Sequence, residues 1–203
     1  VRPSTQREFV AGPAGRIEVA IDRPDAAPAG AALIAHPHPQ FGGTLDNKVV
    51  QTLARAFVEL GYETWRPNFR GIGASEGAYD EGRGEVDDLL AVYGQMRFDR
   101  IVLAGFSFGG AMAARLAARV KSERVVLVAP GVGSFPAPAV PGGTLVVHGE
   151  QDETVPLAQV LDWARPQELP VLVLPGAEHF FHRKLPMLKA AITANWGGGR
   201  CSG

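Results

Sequence analysis

The feature that most restricts this chain is an alternation of short apolar runs with amphipathic stretches. Apolar runs lie at 31–36, 62–66, 100–106, 123–130, 143–148 and 169–174, and helical patterns follow at 47–60, 83–97, 108–120, 157–165 and 181–195. Strands joined through helices make parallel crossovers, so the pattern predicts an α/β architecture: a mostly parallel sheet with helices on both faces. Residues 125–128, Val-Val-Leu-Val, contain no polar member, as a strand buried on both sides requires. Two alternating stretches at 6–11 and 15–22 flank Gly12-Pro13-Ala14-Gly15 and predict an opening β-hairpin. In the stretch 47–60, Val50, Leu53, Ala54, Phe57 and Val58 form one apolar stripe, with Asp46 as the expected N-cap and Gly61 as the stop.

With 203 residues the chain fits one domain, taken as 1–196, followed by a glycine-rich tail over 197–203 that is expected to be flexible. A formal net charge of −1 gives no electrostatic reason to expect nucleic acid or an anionic membrane as a partner. The single cysteine, Cys201, has no internal partner for a disulfide. No stretch reaches the ~18 apolar residues that span a bilayer, and residue 1 onward lacks the basic-then-apolar pattern of a signal peptide. A reducing, cytoplasmic location is the expectation.

The run at 100–106 leads directly into Gly105-Phe106-Ser107-Phe108-Gly109 and then into a stretch rich in small residues with helical spacing. A serine that presents its Oγ above a sheet must sit on a very tight strand-to-helix turn. A side chain two residues to either side would strike the neighbouring backbone, which explains the two glycines. The helix that begins there brings free N–H groups and a positive dipole end, both suited to a developing oxyanion. The motif alone is not specific, since Gly73-Ala74-Ser75-Glu76-Gly77 satisfies the same pattern in a chain with 25 glycines. Ser75, however, follows a polar, glycine-rich loop with no apolar strand running into it. Ser107 is the candidate nucleophile.

A serine hydroxyl needs a base, and the base needs an acid to orient it. In open α/β sheets, chemistry gathers beyond the carboxyl ends of the strands. Of His36, His38, His148, His179 and His182, His179 stands just past the run at 169–174 and is the expected base. His182 falls in the first turn of the helix expected over 181–195. The acid is sought after 143–148, where Glu150, Asp152 and Glu153 are all candidates. Asp152 is favoured by the turn that Gly149 can begin and by its short side chain; a capping role before the next helix is the plainer alternative.

Together these features resemble the α/β-hydrolase superfamily over nearly the whole chain. Ser107, Asp152 and His179 follow that family's Ser, Asp, His order. His148-Gly149-Glu150-Gln151-Asp152-Glu153-Thr154-Val155-Pro156 is similar to its acid loop, and Asn68-Phe69-Arg70-Gly71-Ile72-Gly73-Ala74-Ser75 resembles a structural loop of the family, which gives Ser75 a turn role. The resemblance implies a sheet of about eight strands and a second oxyanion donor in the loop after 31–36. Here that loop reads His36-Pro37-His38-Pro39-Gln40-Phe41-Gly42-Gly43, unlike the glycine-rich form of many relatives. Pro37 and Pro39 have no N–H, so the expected donors are the amides of His38 and Phe108, with Gln40 as the fallback. This H-P-H-P…G-G form looks like a compact bacterial branch of the family. His36 and His38 could project together toward a metal, but no third ligand is spaced to join them, and no metal or other cofactor is expected.

Family members commonly carry a lid before the acid strand; residues 131–141 offer only loop length, so no cap domain is expected and the pocket should be open. Its walls are sought among Phe41, Phe106, Phe108, Phe180 and Phe181. Phe108 and Phe180 are nearest the nucleophile and base, and Phe41 and Phe180 are assigned to substrate binding. The implied activity is a serine hydrolase that cleaves a small carboxylic ester or thioester through an acyl-enzyme, with a small-molecule acyl substrate. A peptidase, amidase or acyltransferase could use the same residues, and a catalytically silent binding module is the alternative of another class.

Overall fold

The computed structural model describes residues 5–196. The glycine-rich tail and Cys201 lie outside the described residues. Eight strands form one sheet: β1 (Gln6–Gly12), β2 (Gly15–Asp22), β3 (Gly30–Ala35), β4 (Tyr62–Pro67), β5 (Ile101–Phe106), β6 (Arg124–Val128), β7 (Leu145–Gly149) and β8 (Val171–Leu174). Their spatial order is β1-β2-β4-β3-β5-β6-β7-β8. The opening hairpin pairs antiparallel, β2 pairs antiparallel with β4, and every other neighbouring pair is parallel.

Among the described residues five α-helices cover the sheet: α1 (Lys48–Glu59), α2 (Arg83–Gln95), α3 (Phe108–Ala117), α4 (Leu157–Ala164) and α5 (Leu185–Ala194). Alternate residues of β5 explain why its whole sequence is apolar. Val102, Ala104 and Phe106 pack toward α1 and α5, while Ile101 and Leu103 pack toward α2 and α3. Val125, Val146 and the α4 residues Val160 and Ala164 form a third cluster on the second face. No helix of the described residues is long and apolar enough to cross a membrane.

Strand order also fixes where chemistry can sit. The chain leaves β3 through α1 on one face, whereas it leaves β5 through α3 on the other. The two strands are neighbours, so their departing loops part and open a crevice above their carboxyl ends. Between β6 and β7, residues 129–144 form neither helix nor strand, and no cap among the described residues covers that crevice.

Two local expectations are corrected. The N-cap of α1 is Asn47, whose Oδ1 accepts from the amides of Val49 and Val50. Asp46 instead pairs with Arg7 at 2.7 Å. The last helix begins at Leu185, not 181, because Phe181 and Arg183 have φ of 54° and 60°, which no α-helix tolerates. His182 therefore lies in a turn before the helix, which opens with Pro186 in its first turn.

Candidate active site

Ser107 joins β5 to α3 with φ 56° and ψ −119°, a conformation that costs a non-glycine residue about 1–3 kcal/mol. Its backbone is held on every side: its amide donates to Val128 O at 3.0 Å, and its carbonyl accepts from Gly110 at 3.0 Å and Gly131 at 2.9 Å. The flanking glycines are a packing requirement. A Cβ on Gly105 would run into Gly109 O, and one on Gly109 would run into the carbonyls of Ala35 and His36. Gly109 thus lets the start of α3 press against the end of β3.

The loops after β7 and β8 meet beside this turn. Gln151 N donates to Ala177 O at 2.9 Å and Glu150 N to Leu174 O at 3.1 Å, which fastens one loop to the other. A Cβ on Gly149 would come within 2.5 Å of Ala177 O, so glycine is what allows this close approach. Asp152 Oδ1 accepts from the amides of Thr154 (2.9 Å) and Val155 (2.8 Å), which leaves Oδ2 for His179 Nδ1–H at 2.7 Å. His179 Nε2 is 3.1 Å from Ser107 Oγ. One hydrogen-bonded chain therefore runs from Ser107 through His179 to Asp152, with the carboxylate buried. Such a chain can move a proton from the hydroxyl onto an imidazole whose tautomer is fixed from behind.

The other acids and histidines have different work. Glu150 Oε2 accepts from Gly176 N at 2.8 Å, and Glu153 is exposed. His182 pairs with Glu178 at 3.0 Å on the surface. Sequence reasoning missed Glu178, whose carboxylate takes the amides of Phe180 (3.0 Å) and His182 (2.5 Å) and so shapes the turn that presents His179. Burial works against its charge, yet these amides and His182 hold its carboxyl below the usual range. The only signal was an acidic residue directly before that turn.

In the loop after β3, Pro39–Phe41 form a short 3-10 turn. Among the described residues the His38 and Phe108 amides donate to no protein group, whereas the Gln40 amide is taken by His38 Nδ1 at 3.2 Å. With Nδ1 accepting, His38 Nε2 carries the proton and lies 3.2 Å from Tyr79 Oη. His36 turns the other way: its Nδ1–H donates to Pro37 O (2.7 Å) and its Nε2 accepts from Phe69 N (3.0 Å). The two imidazoles do not converge, and no group of three or more His, Cys, Asp or Glu among the described residues is placed to hold a metal ion.

Ser75 is built into the scaffold. Its Oγ accepts from Glu18 N at 2.9 Å and donates to Asn68 O at 2.8 Å, and no imidazole is among its hydrogen-bond partners in the described residues.

The aromatic residues divide differently from expectation. Phe106, Phe108 and Phe181 are fully buried, so Phe108 is not an exposed wall despite its place beside Ser107. Phe106 lies beside the His179 imidazole at 4.9 Å between ring centroids. Phe41 is 85% exposed and Phe180 42%. Around His38 gather Phe41, Tyr79 and Phe135 at 4.7, 5.1 and 5.4 Å; Tyr79 and Phe135 come from unpatterned loops that gave no sequence signal. A depression of about 620 Å³ on the His179 side is lined by Gln151, Glu153, Thr154, Glu178 and Phe180 among others.

Residues 35–143 match the α/β hydrolase family. A lidless α/β serine hydrolase from Xanthomonas campestris superposes with a TM-score of 0.90 at 36% identity, over 98% of this chain and 97% of its own. An α/β serine hydrolase homologue from Coxiella burnetii gives 0.87 at 43% identity, over 94% and 97% of the two chains. An uncharacterized protein of Rickettsia prowazekii is 32% identical over 202 residues, covering 89% of this chain and 84% of its own. The eight-stranded sheet, the serine turn between β5 and α3 and matches of this extent agree: the chain belongs to the α/β hydrolase family.

Proposed function

We propose that the chain is a serine hydrolase that cleaves a small carboxylic ester or thioester through an acyl-enzyme. The observation that carries this reading is the hydrogen-bonded line from Ser107 Oγ to His179 and on to Asp152, set on a strained turn at the start of a helix. Ser107 Oγ attacks the acyl carbon while His179 Nε2 takes its proton. Asp152 Oδ2 holds the resulting imidazolium through Nδ1–H. Negative charge then develops on the former carbonyl oxygen and is met by the amides of Phe108 and His38, which donate to no protein group among the described residues, and by the N-terminal end of α3. The imidazolium returns its proton to the leaving oxygen or sulfur. Water, deprotonated by the same imidazole, frees the acid and restores Ser107.

The substrate is proposed to be a small acyl compound. Phe41 and Phe180 are the exposed aromatics at the rim, and Tyr79 and Phe135 extend the wall on the His38 side. The test is labelling with a fluorophosphonate, followed by mass spectrometry of the adduct. It should fall on the peptide that carries Ser107, and Ser107→Ala should be neither labelled nor active toward p-nitrophenyl esters. An adduct on Ser75, or full esterase activity in Ser107→Ala, refutes the assignment.

A further inference from the structure

We propose that His148 is a positioning residue for this site, one that locks the loop presenting Asp152 to His179. The inference rests on the hydrolytic reading of Ser107, His179 and Asp152. His148 lies near the end of β7, fully buried, on the face that Val146 shares. Its Nε2 is 2.9 Å from Val155 O and 3.7 Å from Asp152 Oδ2, while its Nδ1 has no hydrogen-bond partner among the described residues.

These contacts settle the tautomer. A lone pair on Nε2 would face a carbonyl oxygen, which can only accept, and a carboxylate oxygen. The proton therefore sits on Nε2 and donates to Val155 O, and the bare lone pair is the one on Nδ1. That bond bears directly on Asp152. Val155 gives its carbonyl to His148 and its amide to Asp152 Oδ1 at 2.8 Å, with Thr154 N adding a second bond to the same oxygen. Once Oδ1 is held this way the carboxylate cannot rotate freely, and Oδ2 is left aimed at His179 Nδ1. Release of Val155 O would free the loop at the point that carries both its own bond to His148 and half of the clamp on Oδ1.

The ring must also stay neutral for this role, because an imidazolium at 3.7 Å would compete with His179 for Asp152 Oδ2. Burial pushes its pKa below the ordinary value. The ionisable groups that act on it are Asp152 on its own loop, which opposes that push, and His179 on the loop after β8, which adds to it when charged.

The test compares two substitutions. His148→Leu keeps the bulk and removes the donor, whereas His148→Gln places an amide N–H close to where Nε2 stands. His148→Leu should lower kcat about 10–100-fold with KM nearly unchanged, as loss of an outer-shell orienting group does at other preorganised sites. The acid limb of its pH–rate profile should move to lower pH, because a freer Asp152 holds the His179 imidazolium less well. His148→Gln should recover most of the rate and return the limb. A Leu variant with the parent kcat and pH limb, or a Gln variant as impaired as Leu, overturns the proposal. Nitrogen-15 NMR of the unaltered protein tests it without any variant. His148 should carry its proton on Nε2 alone and stay neutral across the acid limb of the pH–rate profile. A proton on Nδ1, or protonation of His148 along that limb, refutes it. Fluorophosphonate labelling of the unaltered protein separates the two readings. No adduct on Ser107 brings down the hydrolytic reading and this inference with it, whereas a labelled Ser107 with an indifferent His148 refutes only this inference.

Discussion

His36 should make the fold sensitive to acid well above the range in which carboxylates titrate. Its imidazole is fully buried, with Nδ1–H given to Pro37 O and Nε2 accepting from Phe69 N. A second proton would sit on Nε2, head-on to an N–H. Burial is the largest effect and lowers its pKa; the Pro37 carbonyl opposes it and His38 reinforces it, leaving the value at about 4 against 6.5 for a free imidazole. The unfolded chain thus binds this proton more tightly than the native one, so the stabilisation is complete above the unfolded pKa and drains away as pH falls toward the folded one. Integrated over the two pKa values, the loss is about 2 kcal/mol by roughly pH 5 and about 3 kcal/mol by roughly pH 4. Urea unfolding of the parent and of His36→Gln at about pH 7 and about pH 5 isolates this contribution, because His38 and His148 are common to both proteins and the carboxylates held low, such as Glu18 and Glu178, are still ionised. The parent should lose about 2 kcal/mol more than the variant across that interval. Equal losses, or an NMR titration of His36 near its free value, would show that its burial is not reflected in its pKa.

Asp152→Asn should fold and bind yet lose several orders of magnitude in kcat, because the amide favours the wrong His179 tautomer, while Glu150→Gln keeps an acceptor for Gly176 N and should cost little; steady-state kinetics that rank the two the other way would move the acid to Glu150. Ser75→Ala should leave turnover intact and cost about 1–3 kcal/mol of stability, since it orphans Glu18 N and Asn68 O; lost turnover with unchanged melting would contradict its scaffold role. Across p-nitrophenyl esters of increasing length, kcat/KM should rise by at most about fourfold per methylene while aromatic wall remains, then fall, with no jump at the micellar concentration; a sustained preference for long, emulsified acyl chains would require cover that residues 129–144 do not supply.

The parts of this molecule that were legible in the sequence are those decided locally. The β5–Ser107–α3 unit could be read because its strand, turn and glycines are contiguous and the steric reason for each glycine acts within a few residues. Adjacent cap candidates were a different matter. Asp46 and Asn47 are both good N-caps, and the choice fell to Asn47 while Arg7, 39 residues away in sequence, took Asp46. The last helix misled for a clearer reason. Phe181, Leu185, Leu188 and Ile192 have helical spacing and all pack against one core cluster, but Phe181 reaches it from a left-handed turn. Spacing records which residues point inward, not the backbone path that carries them there. The same limit hid the aromatic wall. Phe108 is next to Ser107 in sequence yet is buried beneath the His38 ring at 5.0 Å, and Tyr79 and Phe135 are brought to the same ring by loops that have no period to read.

A site without a lid has to be ordered from beneath, and the backbone contacts show how this is done. Closure over a substrate normally excludes water and completes a catalytic arrangement. Here nothing in 129–144 is long enough to close, so the loops are fastened to one another before any substrate arrives. Gly131 N holds the Ser107 carbonyl, Gln151 N holds Ala177 O, and Phe69 N reaches across from the loop after β4 to His36. Leu45 N is tied to Asn68 Oδ1 at 2.9 Å, which joins the loop after β3 to the one after β4. Each bond links two loops that are distant in sequence, and the strain of roughly 1–3 kcal/mol at Ser107 can persist only in such an over-determined frame. Rigidity of this kind orients a small reacting group by its immediate contacts alone. On the proposed acyl-hydrolase reading, an acyl chain that extends beyond Phe41 and Phe180 should gain nothing further from the protein.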